Sequence, residues 1–303
     1  MQQLIACPIC GSTDIVHSYD GRTKRDDADP AVWSVFDCKS CGHGFVNPQP
    51  SWSELQRYYG ADYEPYEADH AAGSAERDVE EAREAGVLRS IPIRPGLRVM
   101  DVGCGGGAFL TRAEMLGAEV QGVEPSDHGF ATCSGKGLRV FHGQIDAFVA
   151  AHPDRKFDVV TSNHVVEHHP SPVEMLRDMS RALAKDGYVW FCVPNGATRA
   201  ARVLKWRWHS TDLPVHLMQF TPGSVRKMVE LAGLEVRRIY TATMPVAVRQ
   251  SLIEELRYHY FIPQRLSRFL PLNGLSARMA RDMDRAIEGE AIIVEAVLPA
   301  AAV

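Results

Sequence analysis

No uninterrupted apolar stretch of this 303-residue chain approaches the ~18 residues that a membrane span needs. Its first residues hold no basic patch leading into an apolar run. The expectation is a cytoplasmic protein. Excess positive charge is absent as well, because 33 Lys and Arg stand against 38 Asp and Glu, a net −5 at pH 7. A global basic field that would gather nucleic acid or an anionic membrane is thereby disfavoured. Internal repeats and low-complexity tracts are missing too. What is present, a 45% hydrophobic content, suffices for one sizeable α/β core with a small attached module.

Cysteine is sparse, seven in all, yet four fall in two pairs: Cys7/Cys10 in "CPIC" and Cys38/Cys41 in "CKSC", each pair followed by glycine. Four thiolates satisfy tetrahedral zinc, and a CxxCG knuckle folds so that its two sulfurs converge. A disulfide is disfavoured in a reducing compartment, and a redox CxxC does not account for two copies. Residues 1–47 therefore read as a zinc ribbon. Its metal is structural, since four thiolates leave no open position. Cys104, Cys133 and Cys192 stand singly in the core region and read as buried thiols.

Residues 48–90 read as a Pro- and Tyr-rich connector or helical lid, with a short helix near Ser53–Tyr59 and an acidic helix from Glu76 to Arg89. From 91 to 303 apolar strands alternate with amphipathic segments, the pattern of a parallel sheet with helices on both faces. Strands are predicted at 97–102, 119–124, 138–141, 157–162, 188–193, 234–241 and 290–298. A helix is predicted over 171–185, with Ser171 and Glu174 as a capping box and Pro172 at the first helical position. Another is predicted over 222–233. Residues from about 244 to 289 read as inserted helices.

The stretch "VMDVGCGGGAF", 99–109, ends an apolar strand in a glycine loop. Gly103, Gly105 and Ala108 satisfy the dinucleotide fingerprint, with Glu124 placed to grip ribose hydroxyls. Asp101 separates two readings. An anion there faces the pyrophosphate of NAD unfavourably, whereas S-adenosylmethionine has no phosphate and carries an ammonium and a sulfonium. The donor reading is S-adenosylmethionine.

On these residues the chain resembles the class I S-adenosylmethionine-dependent methyltransferases. "VMDVGCGGGAF" is similar to their first motif, "VQGVEPS" to their ribose-binding segment, "FDVVTSNHVVEHHPSP" to the motif after strand four and "LAKDGYVWFCVPN" to the segment around strand five. The ribbon and "STDLPVHLMQFTPGSVRKMVELAGLEV" resemble zinc-ribbon methyltransferases of polysaccharide, sugar and secondary-metabolite pathways. The resemblance implies a Rossmann-like seven-stranded sheet whose last strand is antiparallel. It implies donor contacts from Asp101, Gly103, Cys104, Gly105, Glu124, Pro125, Asn163 and His164, with Ile145 against the adenine. Where the family carries an acid for the adenine amino group, this chain has Gln144, or Asp146 from a shifted turn.

Methyl transfer to a hydroxyl needs a base, whereas much of the rest is positioning. His168 of "NHVVEHH" is the first candidate for base or orienting group, and His216 of "LPVHLMQF" the second. The competing reading is that Glu167 and His168 only tie loops together. A metal held by His164, Glu167 and His168 needs more carboxylates than that loop offers. Tyr58, Tyr59, Tyr63 and Tyr66 are candidate lid residues, Tyr66 for the methionine carboxylate, or else packing between ribbon and core. Arg199, Arg202, Lys205 and Arg207, interleaved with Trp206 and Trp208, roof an anionic acceptor or form a solvated helix face.

The leading reading is O- or N-methylation of a sugar, nucleotide sugar or related metabolite. The alternatives are a nucleic-acid or protein methyltransferase that uses the ribbon for recognition, and a non-catalytic donor-binding subunit. Residues 1–47 hold six acids against four Lys and Arg, which argues against a nucleic-acid reader.

Overall fold

The computed structural model describes residues 1–26, 28–58, 90–260 and 271–300. Three short antiparallel strands open the chain: β1 (Ile15–Gly21), β2 (Trp33–Cys38) and β3 (Gly44–Val46). After α1 (Trp52–Leu55) the alternation of strand and helix begins with β4 (Arg98–Val102), α2 (Ala108–Met115), β5 (Glu119–Glu124), α3 (Asp127–Gly135), β6 (Val140–His142), α4 (Ile145–Ala151) and β7 (Phe157–Asn163). It continues through α5 (Pro172–Arg181), β8 (Leu183–Pro194), α6 (Arg199–Leu204), β9 (Met218–Gln219), α7 (Pro222–Leu231) and β10 (Glu235–Ala242). It closes with α8 (Pro245–Tyr260), α9 (Asn273–Arg285) and β11 (Ala291–Val297).

Seven strands form one sheet in the order β10-β11-β8-β7-β4-β5-β6. All neighbours from β8 to β6 are parallel, and β11 enters antiparallel between β8 and β10. This is the Rossmann-like seven-stranded sheet with an antiparallel last strand that the resemblance implies. Strand order reverses between β4 and β7, so a crevice opens at the carboxyl ends of those strands.

Side-chain alternation builds a core on each face of the sheet. Met100, Val102 and Val160 pack with Leu176 and Met179 of α5 and Val225 and Met228 of α7. Val99, Val159 and Trp190 pack on the other face with Phe109 and Leu110 of α2. Each such large side chain, fully buried, contributes ~1.5–3 kcal/mol relative to exposure.

Helix α5 departs from expectation at both ends. Pro172 does take the first turn, but Ser171 makes no side-chain cap, and Glu174 pairs with Arg177 instead of reaching back. The helix stops at Arg181 because Leu183 already pairs with Phe157 in the sheet. Sheet pairing displaces the last helical turn predicted up to residue 185. The helices predicted in the insertion appear as α8 and α9. The helix predicted over Glu76–Arg89 lies outside the described residues.

The ribbon is joined to the core by strand pairing. β3 pairs with β9, Gly44 opposite Gln219 and Phe45 opposite Met218, making a four-stranded sheet β1-β2-β3-β9. Phe45 is fully buried in one continuous core with Val215, Leu217, Met218 and Phe220. Among the described residues no helix is long and apolar enough to cross a membrane.

Candidate active site

The crevice at the strand ends is a cleft of about 1460 Å³. Its floor is the loop after β4. Gly103, Gly105 and Gly107 have φ of +72°, +55° and +83°, a backbone region that side chains rarely adopt. A Cβ on Gly103 would lie 2.5 Å from Cγ2 of Val165, so the loop presses directly on the segment after β7.

Glu124, at the end of β5, cross-links this floor. Its Oε2 accepts from Gly105 N at 2.9 Å, and its Oε1 accepts from Ser126 N at 3.0 Å and Ser126 Oγ at 2.6 Å. A carboxylate has roughly four lone-pair sites, and three are taken. Gripping two ribose hydroxyls at once requires the Ser126 hydroxyl to turn away.

Gly103, Gly105, Glu124, Pro125, Gln144, Ile145, Asn163 and His164 all line the cleft. Asp146 lines it as well, beside Gln144. Two expected donor contacts do not. Asp101 is fully buried on β4, one residue out of phase with Val102, which does face the cleft. Alternation sends its side chain to the opposite face of the sheet. Cys104 is buried in the core beneath the loop, its sulfur 3.8 Å from that of Cys133. Tyr66, like Tyr59 and Tyr63, lies outside the described residues. Tyr58 is buried, and its hydroxyl donates to Asp29 at 2.6 Å.

Opposite the floor, the turn after β7 brings Glu167 and His168 beside His216 of the loop before β9. Glu167 is fully buried, its Oε1 3.1 Å from His164 Nδ1. His168 Nδ1 lies 3.0 Å from the carbonyl of Val215, and His216 Nδ1 lies 2.8 Å from that of Ser210. A carbonyl only accepts, so each ring carries its proton on Nδ1. The two rings meet edge to face with centroids 4.6 Å apart. Burial pushes both imidazoles down to about 4, and their mutual proximity adds to the effect at His168. Both rings are neutral at pH 7 and line the cleft with His169.

The basic excursion does not roof this cleft. Arg199 pairs with Glu255, Arg202 donates to the carbonyl of Ala197, Lys205 lies over the ring of Tyr19, and Arg207 stacks on Trp206. None of these four cations lines the cleft. Trp208 is fully buried and its Nε1 donates to Glu290 at 2.9 Å. The aromatic residues anchor α6 against the body of the protein, which turns its charges outward.

The wall on that side comes from the ribbon. Arg25, Asp26, Ala28, Asp29 and Pro30 of the β1–β2 loop line the cleft with Arg57 and Tyr58. Arg25 makes a bidentate pair with Asp212 at 2.5–3.1 Å, and Lys24 donates to the carbonyls of Trp208 and His209. No local sequence pattern marks this loop. It reaches the cleft because β3 pairs with β9.

At the far end of the ribbon the sulfurs of Cys7 and Cys41 are 3.7 Å apart, those of Cys10 and Cys38 3.6 Å, and all four lie within 4.8 Å of one another. Metal–sulfur bonds of ~2.3 Å in a tetrahedron give edges of ~3.8 Å. The four positions fit such an ion.

A model of the methyltransferase domain matches residues 51–239, more than half of the chain. The chain is 28% identical over 210 residues to a ubiquinone biosynthesis O-methyltransferase of Rhizobium rhizogenes, covering 65% of this chain and 80% of that one. A protein of the same name from Burkholderia thailandensis is 28% identical over 190 residues, 57% and 80% of the two chains. Among solved structures, magnesium protoporphyrin IX methyltransferase from Synechocystis with bound S-adenosylhomocysteine superposes with a TM-score of 0.51 at 15% identity. That match covers 82% of this chain and all of the other. A Haloferax volcanii methyltransferase solved with its Trm112 activator gives 0.51 at 17% identity, covering 76% and 96%. These two show the shared fold. With the family model and the glycine-floored cleft together, the chain belongs to the methyltransferase-domain family and is a class I S-adenosylmethionine-dependent methyltransferase.

Proposed function

We propose that the protein transfers the methyl group of S-adenosylmethionine to a hydroxyl of a small-molecule acceptor. The observation that carries the reading is the neutral imidazole pair, His168 and His216, set across the cleft from the glycine floor. An alcohol is a poor nucleophile until its proton is drawn away, and a neutral imidazole can draw it. The O-methyltransferase relatives support the same bond type. Arg199, Arg202, Lys205 and Arg207 lie off the cleft, so this excursion supplies no argument for an anionic acceptor. A sugar or nucleotide sugar draws no support from these relatives.

In this reading Glu124 holds the ribose, Gln144, Ile145 and Asp146 flank the adenine, and Asn163 and His164 border the methionine end. The ribbon's cysteines hold a structural zinc, which keeps the β1–β2 loop in place as the acceptor wall. The test is to offer hydroxylated small molecules with isotopically labelled donor and read the mass of each product. One methyl on oxygen is expected, with His168→Ala lowering turnover ~100-fold, the order of a lost general base. Methylation of nitrogen or carbon alone would overturn the hydroxyl assignment.

A further inference from the structure

We infer that Glu167, His168 and His216 form a site for a divalent transition-metal ion inside the methyl-transfer cleft, separate from the cysteines of the ribbon. A carboxylate oxygen of Glu167 and one nitrogen from each imidazole lie within 4.8 Å of one another. That limit bounds every pair, and the ligands of one ion at ~2.1 Å in a tetrahedron lie ~3.4 Å apart. The turn after β7 alone supplies too few ligands. The fold adds His216 from a loop nearly fifty residues downstream, and β9 and the Arg25–Asp212 pair hold that loop in place.

Two further observations point to an ion. Glu167 has a side chain with no exposure, and its Oε2 finds no hydrogen-bond partner, while Oε1 serves His164. Leaving a carboxylate oxygen buried and unsatisfied costs free energy that a cation would recover. The two imidazoles also have the support that metal-binding histidines usually show. Each gives its Nδ1 proton to a backbone carbonyl, Val215 for His168 and Ser210 for His216. That contact fixes the tautomer in which Nε2 carries the lone pair and orients the ring. Two imidazoles and one carboxylate favour zinc, manganese, iron or cobalt over magnesium or calcium, which prefer oxygen ligands. Among the described residues three ligands reach this point, fewer than the four thiolates of the ribbon.

This inference rests on the hydroxyl-acceptor reading and deepens it. An acceptor hydroxyl bound at an open position becomes more acidic and releases its proton to water. The oxygen lone pair then forms the C–O bond as the S–CH3 bond breaks. The electron pair of that bond stays on sulfur, and the sulfonium leaves as a neutral thioether. With the ion bound, each Nε2 lone pair is a ligand and not a base, so the ion takes the place of the free imidazole in drawing the hydroxyl proton away.

The test reads metal without turnover. Protein with its ribbon zinc retained is dialysed against cobalt(II) and, separately, manganese(II), and metal per chain is measured. One ion beyond the ribbon zinc is expected, and the cobalt form should show weak ligand-field bands without thiolate charge-transfer absorption. Glu167→Gln and His216→Ala should each weaken this ion at least tenfold. Melting and S-adenosylhomocysteine calorimetry report whether each variant is folded. If Glu167→Gln does not fold, His216→Ala carries the test. No extra ion at millimolar metal, or equal binding by wild type and a folded variant, overturns the site. An ion bound as expected, in a protein that methylates no hydroxyl, would leave the metal site standing and remove the acceptor assignment.

Discussion

Glu124 does two jobs with one carboxylate. It receives the amide of Gly105 and so sets the glycine floor, and it faces the cleft where a ribose would lie. Glu124→Ala should weaken S-adenosylhomocysteine binding ~10–100-fold, the loss of a charge-assisted contact worth ~1–3 kcal/mol, as read by calorimetry. Gly103→Ala should fail differently. A methyl there strains a φ of +72° and meets Val165 at 2.5 Å, so donor affinity and melting temperature should fall together. Lys24 is a third case. Burial lowers its pKa from 10.5 to about 8. Between those values the unfolded chain keeps a proton that the folded protein has released, so stability rises with pH through that window. Urea unfolding of wild type and Lys24→Met from pH 8 to 10.5 should show the difference shifting toward wild type by ~2–3 kcal/mol.

At the scale of elements, the loop from Trp208 to His216 connects the ribbon to the acceptor end of the cleft. Asp212 accepts from Arg25 through its carboxylate and from His216 N through its carbonyl. Lys24 holds the start of the same loop. Arg25→Ala should therefore lower turnover while S-adenosylhomocysteine affinity stays within about twofold, because Arg25 touches the loop that carries His216 and not the glycine floor. Arg202→Ala, on the outward face of α6, should leave both unchanged within error, as exposed residues away from special contacts usually do. Steady-state assays with calorimetry on both variants separate the two elements.

Across the whole molecule the ribbon and the seven-stranded sheet share a core. Ile9, Phe45, Leu217 and Phe220 belong to one buried cluster. Loss of an ion held by the four cysteines, as proposed above, should therefore not release a separate module. Cys38→Ser, or chelation of the ribbon, should lower a single calorimetric transition of the entire protein by ~5–10 °C, corresponding to a loss of ~3 kcal/mol. Two separated transitions would show that the ribbon folds independently.

Local sequence pattern was enough for the strands of the sheet, the glycine loop and the four-cysteine cluster. Periodicity, glycine and CxxC spacing act over a few residues, and that is the range a sequence displays directly. The same range also has its limits. Asp101 sits in the first motif, yet it is buried on β4 and does not line the cleft, as Val102 beside it does. The capping box at Ser171 was legible as letters but lost to the pull of Leu183 into the sheet. The acceptor wall, the meeting of His168 with His216, and the neighbourhood of Glu167 were settled by β3 pairing with β9, which joins segments more than 170 residues apart. Pairings of that separation depend on which buried edges and faces find each other once the core closes, and only tertiary structure decides them.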